Sequence, residues 1–190
     1  MVIISSFEEQ LQVDDLQFAY QSNVSTSMCT WLALETISYF NRNGSPVYSC
    51  LMNMSKAFDT VKHSLLFQKL IEQGVPPIII RYVLITYKLQ SANVKWNQEY
   101  SDFFGISNGV KQGAILSAIL YCIYTNNLFK ELRRSSIGCT IGPEYVGCVG
   151  YADDLLLMAP SLDGLQSMLK ICEKYAQKTT TYHSVLMRTQ

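Results

Sequence analysis

The order of elements in this sequence predicts an α+β domain, with helices packed on one face of a small, mainly antiparallel sheet. Three observations lead there. Apolar residues recur at helical spacing in several separate stretches. Two short apolar runs flank Ala152-Asp153-Asp154, and the segment 92–106 alternates about a polar centre as a hairpin does.

The elements follow in order. Ser25–Asn43 reads as a helix: Ser25, Thr26 and Ser27 offer N-caps, and Gly44 stops it. Met28, Trp31, Leu32 and Phe40 give it an interrupted apolar stripe. Val47–Met52 is apolar enough to be a buried strand and ends on one polar side chain, Asn53. Ser64 can cap a helix running to Gln73, closed by Gly74 and Pro76-Pro77. The next helix, roughly 78–90, carries Ile78, Tyr82, Ile85 and Leu89 at helical spacing.

The period then changes. Val94 and Trp96, then Phe103 and Phe104, flank the polar N-Q-E of a hairpin. The loop S-N-G-V-K-Q-G opens a long apolar helix from Ala114 to about Arg134. Thr140–Ile141, Tyr145–Tyr151 and Leu155–Ala159 read as strands. Ser161 caps an amphipathic helix through Leu162, Leu165, Met168, Leu169, Cys172, Tyr175 and Ala176.

Composition narrows the classes. With 190 residues, 48% of them hydrophobic, the chain can bury the core of one domain and is not a disordered segment. Basic and acidic residues balance at 15 each, so net charge lends no support to nucleic-acid binding. Lys130, Arg133 and Arg134 cluster as a solvated helix end would. Six cysteines without C-x-x-C spacing and only His63 and His183 argue against zinc. The start, M-V-I-I-S-S-F-E-E, lacks the pattern of a signal peptide, and no apolar run is long enough to span a membrane. The expectation is an intracellular chain with reduced thiols, its compartment unknown.

Four features carry chemistry. Asp153 and Asp154 lie between two apolar runs, where paired carboxylates repel unless a cation relieves them. Mg²⁺ and Mn²⁺ are hard ions that take such oxygens. A solvated hairpin turn is the plainer reading, and Asp14-Asp15, without flanking strands, is the internal control. G-V-K-Q-G at 109–113 is a glycine-bracketed loop before a helix, suited to a phosphate or a base-paired nucleotide, with Gln112 able to hydrogen-bond a base or ribose. A loop that simply needs positive φ reads the same way. Phe58 can wall off a 2′-hydroxyl or serve as a core aromatic. Asn53 stands where strands present catalytic groups, yet an amide cannot do what a carboxylate does.

Together these stretches resemble the reverse transcriptase domain of non-LTR (LINE-type) retrotransposons. F-A-Y-Q-S-N-V-S-T-S is similar to that family's F-G-F-x-x-x-x-S-T, and L-M-N-M-S-K-A-F-D-T-V to its L-D-x-x-K-A-F-D-x-V. S-N-G-V-K-Q-G-A-I-L-S-A-I-L-Y is similar to G-V-x-Q-G-x-x-L-S-P-x-L-F, and Y-A-D-D-L-L-L to the Y-x-D-D hairpin. The motifs stand in family order from about Leu16 to Lys178.

The resemblance implies a polymerase palm with part of the fingers: 1–46 as partial fingers and the helix leading into the palm, 47–178 as palm, and 179–190 as a non-matching tail. It implies RNA-directed DNA polymerase chemistry with an RNA template, a DNA primer, dNTP and two Mg²⁺ ions. Asp153 and Asp154 would be metal ligands, with Asn53 in place of the family aspartate. Phe58 would select against the 2′-hydroxyl, Lys111, Gln112 and Gly113 would face the nucleotide, and Tyr151 the primer end. An amide brings no negative charge and cannot bridge two cations. Basic fingers residues upstream and the N-L-x-F strand downstream have no counterpart, the latter replaced by T-T-T-Y-H-S-V-L-M-R-T-Q. The expectation is a reverse-transcriptase-like fragment impaired in catalysis. The alternative is a non-enzymatic nucleic-acid or protein interaction module derived from it.

Overall fold

The computed structural model describes residues 11–179 apart from 22, 55, 112 and 114. The signal-peptide expectation at the start, the tail from 180 and the role of Gln112 therefore lie outside the described residues. The elements are α1 (Thr26–Arg42), β1 (Tyr48–Asn53), α2 (His63–Glu72), α3 (Pro77–Lys88), β2 (Ser91–Ala92), β3 (Lys95–Trp96), β4 (Glu99–Tyr100) and β5 (Phe104–Gly105). They continue with α4 (Ile115–Arg134), β6 (Thr140–Ile141), β7 (Glu144–Tyr145), β8 (Cys148–Tyr151), β9 (Asp154–Ala159) and α5 (Leu162–Thr179). The α+β class holds, but the helices are not confined to one face of the sheet: α1 covers the face opposite α4 and α5.

The central sheet is antiparallel, in the order β1-β9-β8. Its side chains alternate between two cores, as the strand pleat requires. Met52, Cys148, Leu155, Leu157 and Ala159 pack with Leu128, Phe129 and Leu132 of α4 and Leu165, Met168 and Cys172 of α5. Val149 and Met158 pack the other way, joined by Ala33, Leu32 and Phe40 of α1. A third core joins α2, α3 and the first half of α4 through Leu66, Leu70, Ile79, Val83, Leu120 and Ile123. Because α4 enters two cores, it ties the sheet to the α2–α3 pair. Each fully buried leucine, such as Leu132 or Leu157, contributes roughly 1.5–3 kcal/mol.

Three local expectations change. The run Val47–Met52 is not a buried strand: β1 is an edge with only Met52 buried, because its one sheet neighbour is β9. On α3 the stripe Ile78, Tyr82, Ile85, Leu89 faces out, while Ile79, Val83 and Tyr87 are buried. The helix is apolar nearly all round, so two stripes compete and packing against α2 decides. Helix α2 begins at His63, one residue before the proposed cap Ser64, and Lys62 supplies no side-chain cap bond. By contrast, Ser161 caps α5 as expected, its Oγ accepting from the Gly164 N–H at 3.1 Å. The 92–106 hairpin forms as two nested rungs, β2 with β5 and β3 with β4.

Candidate active site

Sheet register brings the polar ends of three strands together. Asn53 at the end of β1 pairs with Asp154 at the start of β9, and Asp154 pairs with Tyr151 at the end of β8. Only Ala152 and Asp153 are left to form the turn. Ala152 has φ +56°, a left-handed conformation unfavourable for a residue with a Cβ. The Met54 N–H reaches across to the Asp153 carbonyl at 3.0 Å, carrying the pairing one residue past the strand.

The Asn53 amide lies between both carboxylates. Its Nδ2 donates to Asp153 Oδ2 at 3.3 Å and to Asp154 Oδ1 at 3.0 Å. Asn53 and Asp154 are exposed and Asp153 is half-buried, so the cluster opens to solvent. Two carboxylates side by side repel, and N–H donors aimed at both offset part of that repulsion. An open cleft lined by Tyr151, Asp154, Leu51, Leu156 and Thr30 runs beside them, under α1.

The G-V-K-Q-G loop is laced to the stretch after Asn53. The Val110 N–H donates to the Phe58 carbonyl at 2.8 Å and the Gly109 N–H to the Val61 carbonyl at 2.8 Å. His63 donates from Nε2 to the Gly109 carbonyl at 2.6 Å. Gly109 has φ +86°, and a Cβ there would sit 3.2 Å from the Asp59 backbone, so only glycine fits this approach. Phe58 is half-buried and stacks on Tyr121, ring centroids 4.9 Å apart. The Tyr121 hydroxyl donates to Met54 Sδ at 3.2 Å. Burial, and next the charge of Asp153, hold that hydroxyl well above its ordinary pKa. Tyr121 thus connects Phe58 to the corner formed by Asn53 and Asp153. Lys111 and Gly113 are exposed on the loop.

Two positions carried no signal in the sequence. Gln17 is 1% exposed, with both amide atoms bonded to Ala152. Lys69, a charged residue on the Leu66–Leu70 face of α2, is buried against Tyr124 and Tyr175. Its amine donates to the Tyr124 carbonyl and to the Tyr175 hydroxyl. Burial pushes its pKa down to about 8, with Glu72 and Glu131 pulling the other way. Asp14 of the control pair also found an explanation: its side chain is 4% exposed and ion-paired to Arg133 at 2.9 Å.

No group of three or more His, Cys, Asp or Glu that could hold a metal ion exists among the described residues. Two carboxylates and an amide whose N–H groups face them do not fit a pair of divalent ions, which asks for a bridging carboxylate. All six cysteines are free thiols. No helix among the described residues is long and apolar enough to cross a membrane.

Residues 2–184 match the reverse transcriptase (RNA-dependent DNA polymerase) family. The chain belongs to that family. As a reverse transcriptase domain it is 34% identical over 122 residues to the Pol polyprotein of the type-2 retrotransposable element R2DM of Drosophila melanogaster, covering 64% of this chain and 11% of that protein. It is 27% identical over 148 residues to the 149 kDa protein of transposon TX1 of Xenopus laevis, covering 77% of this chain and 11% of that one. The domain thus spans about a tenth of these relatives' length. The domain's fold is also that of telomerase from Candida albicans, solved with a fragment of telomeric RNA: TM-score 0.69, 13% identity, 100% of this chain and 32% of that one. Apo telomerase from Candida tropicalis gives TM-score 0.60, with 15% identity over 94% of this chain and 33% of that one. Reverse transcriptases work with divalent metal ions, which makes the amide of Asn53 the notable feature of this reverse transcriptase domain.

Proposed function

We propose that this chain is the palm of an RNA-directed DNA polymerase from a non-LTR retrotransposon, impaired in catalysis at Asn53. Its template would be RNA, its primer DNA and its substrate dNTP. Asp153 and Asp154 are the remaining Mg²⁺-binding carboxylates, Phe58 the residue that selects against the 2′-hydroxyl, and Tyr151 the contact to the primer end. Lys111, Gln112 and Gly113 would face the nucleotide. The observation that carries the impairment is the Asn53 amide, donating to both carboxylates at 3.3 and 3.0 Å. An N–H turned toward the carboxylates gives a cation no oxygen ligand and no negative charge, where a carboxylate at this position would supply both. Losing one metal-binding carboxylate removes several kcal/mol of transition-state stabilisation, at about 1.4 kcal/mol per tenfold in rate.

Mg²⁺-dependent dNTP incorporation on a primed RNA tests this. The purified chain is expected to incorporate none, and extension of the primer by it overturns the reading. Extension by Asn53→Asp assigns the defect to the amide; silence in both removes the amide as its sufficient cause.

One observation favours a second reading, a non-enzymatic nucleic-acid module. Trp96 and Phe103 on the β2–β5 hairpin are 77% and 73% exposed, and bases stack on such rings. Salt-sensitive binding to an RNA–DNA hybrid supports that reading, and its absence at low salt removes it.

A further inference from the structure

The turn that presents Asp153 and Asp154 is held from outside the sheet by a segment well before it in sequence. The Leu16 carbonyl accepts from the Gly150 N–H at 2.7 Å, and the Phe18 N–H donates back to the Gly150 carbonyl at 2.8 Å. This adds a short parallel bridge to the outer edge of β8 at Gln17. The Gln17 side chain then closes on the next turn residue. Its Nε2 donates to the Ala152 carbonyl at 3.0 Å, and its Oε1 accepts from the Ala152 N–H at 2.9 Å and the Ala19 N–H at 3.2 Å.

The far end of the segment is anchored as firmly. Asp14 pairs with Arg133 at 2.9 Å, and its N–H donates to Asn126 Oδ1 at 3.0 Å. Asn126 Nδ2 in turn donates to the Gln12 carbonyl at 2.8 Å. Both anchors stand on α4, the helix shared by two cores. There is no slack under the clamp either: a Cβ on Gly150 would lie 2.5 Å from Phe129 Cζ and 3.3 Å from Gln17 Nε2.

We propose that Gln17 is a positioning residue for the Asp153–Asp154 turn: its reciprocal amide pair locks Ala152 in the left-handed conformation and so fixes where both carboxylates point. A free Ala152 at φ +56° would relax toward ordinary backbone, since that conformation crowds the alanine Cβ against the carbonyl that follows. Relaxation would turn the following peptide and carry Asp153 with it. Two hydrogen bonds from a buried side chain are of the same order as that strain and hold it. Gln17 touches no reacting atom in this account. The proposal rests on the site reading above only in naming what the turn presents.

Amide hydrogen exchange on the full chain tests the clamp whether or not the site ever holds a metal. Gln17→Met keeps the side chain's length and removes both polar atoms. The Ala152 amide is expected to exchange roughly tenfold faster in that variant, with Leu157 in the middle of β9 within about twofold of wild type. Unchanged Ala152 exchange overturns the proposal, and so does an equal loss at Leu157, which marks general loosening. Should Gln17→Met not fold, Gln17→Glu keeps the acceptor for the Ala152 N–H and sets a carboxylate against the Ala152 carbonyl. The same local acceleration is expected, and its absence has the same meaning. A second arm measures Mn²⁺ affinity in Asn53→Asp with and without Gln17→Met. Weakening of about tenfold is expected; equal affinity overturns the positioning role. No Mn²⁺ binding in Asn53→Asp itself contradicts the site reading, while the exchange result stands on its own.

Discussion

At the scale of single residues, the amide of Asn53 performs two tasks that pull apart when it is replaced. It donates to both carboxylates, relieving their repulsion without a cation, and on the proposed reading it leaves a metal site one negative charge short. Asn53→Asp exchanges those tasks. In EDTA the variant is expected to be less stable than wild type by about 1 kcal/mol, because two donors become a third carboxylate. In millimolar Mn²⁺ the deficit should shrink or reverse, since an ion that binds only the folded state stabilises it. Thermal melts in both conditions check this, and an equal deficit in each contradicts it. Most of these residues could be found from the sequence, because Asn53, Asp153, Asp154 and Tyr151 sit where apolar runs break. Gln17 and Tyr121 could not. A glutamine in a loop belongs to no apolar period, and a tyrosine inside an apolar helix reads as filling.

Helices and strands were legible in existence and order, and less so in which face turns inward. Periodicity fixes an angle between residues but not the direction of the core. On α3, Ile78 and its partners keep helical spacing as well as Ile79, Val83 and Tyr87 do. Only the arrival of α2 and α4 separates them, leaving Ile78 67% exposed and Ile79 4%. Ile79→Ala is accordingly expected to lower stability by roughly 2–4 kcal/mol and Ile78→Ala by less than about 0.5. Urea midpoints that reverse this order would place the wrong face inside. For β1, apolar composition suggested burial, whereas strand order makes it an edge. That order is set by long-range pairing, which no local pattern encodes.

For the molecule as a whole, the buried titratable groups set a response to alkaline pH. Burial raises all six thiols from about 9, Cys139 to about 11 and Cys122 and Cys172 to about 12. Above pH 9 the folded chain therefore binds more protons than the unfolded one at these sites, and stability falls as pH rises. Lys69 acts oppositely. Lowered from 10.5 to about 8, it leaves the unfolded chain with more protons between those values, a contribution that rises with pH. In reducing buffer, urea midpoints from pH 7.5 to 10 should decline, more steeply in Lys69→Met than in wild type. Parallel declines would remove Lys69 from this account. The central proposal is that a reverse transcriptase palm keeps the Asp153–Asp154 pair while Asn53 stands where a metal-binding carboxylate would complete the site. Mn²⁺ titration of the wild-type chain, followed by the loss of the free-ion paramagnetic resonance signal, tests it most directly. The account predicts no tight, saturable binding in wild type and its appearance in Asn53→Asp; strong saturable binding by the wild-type chain would contradict it.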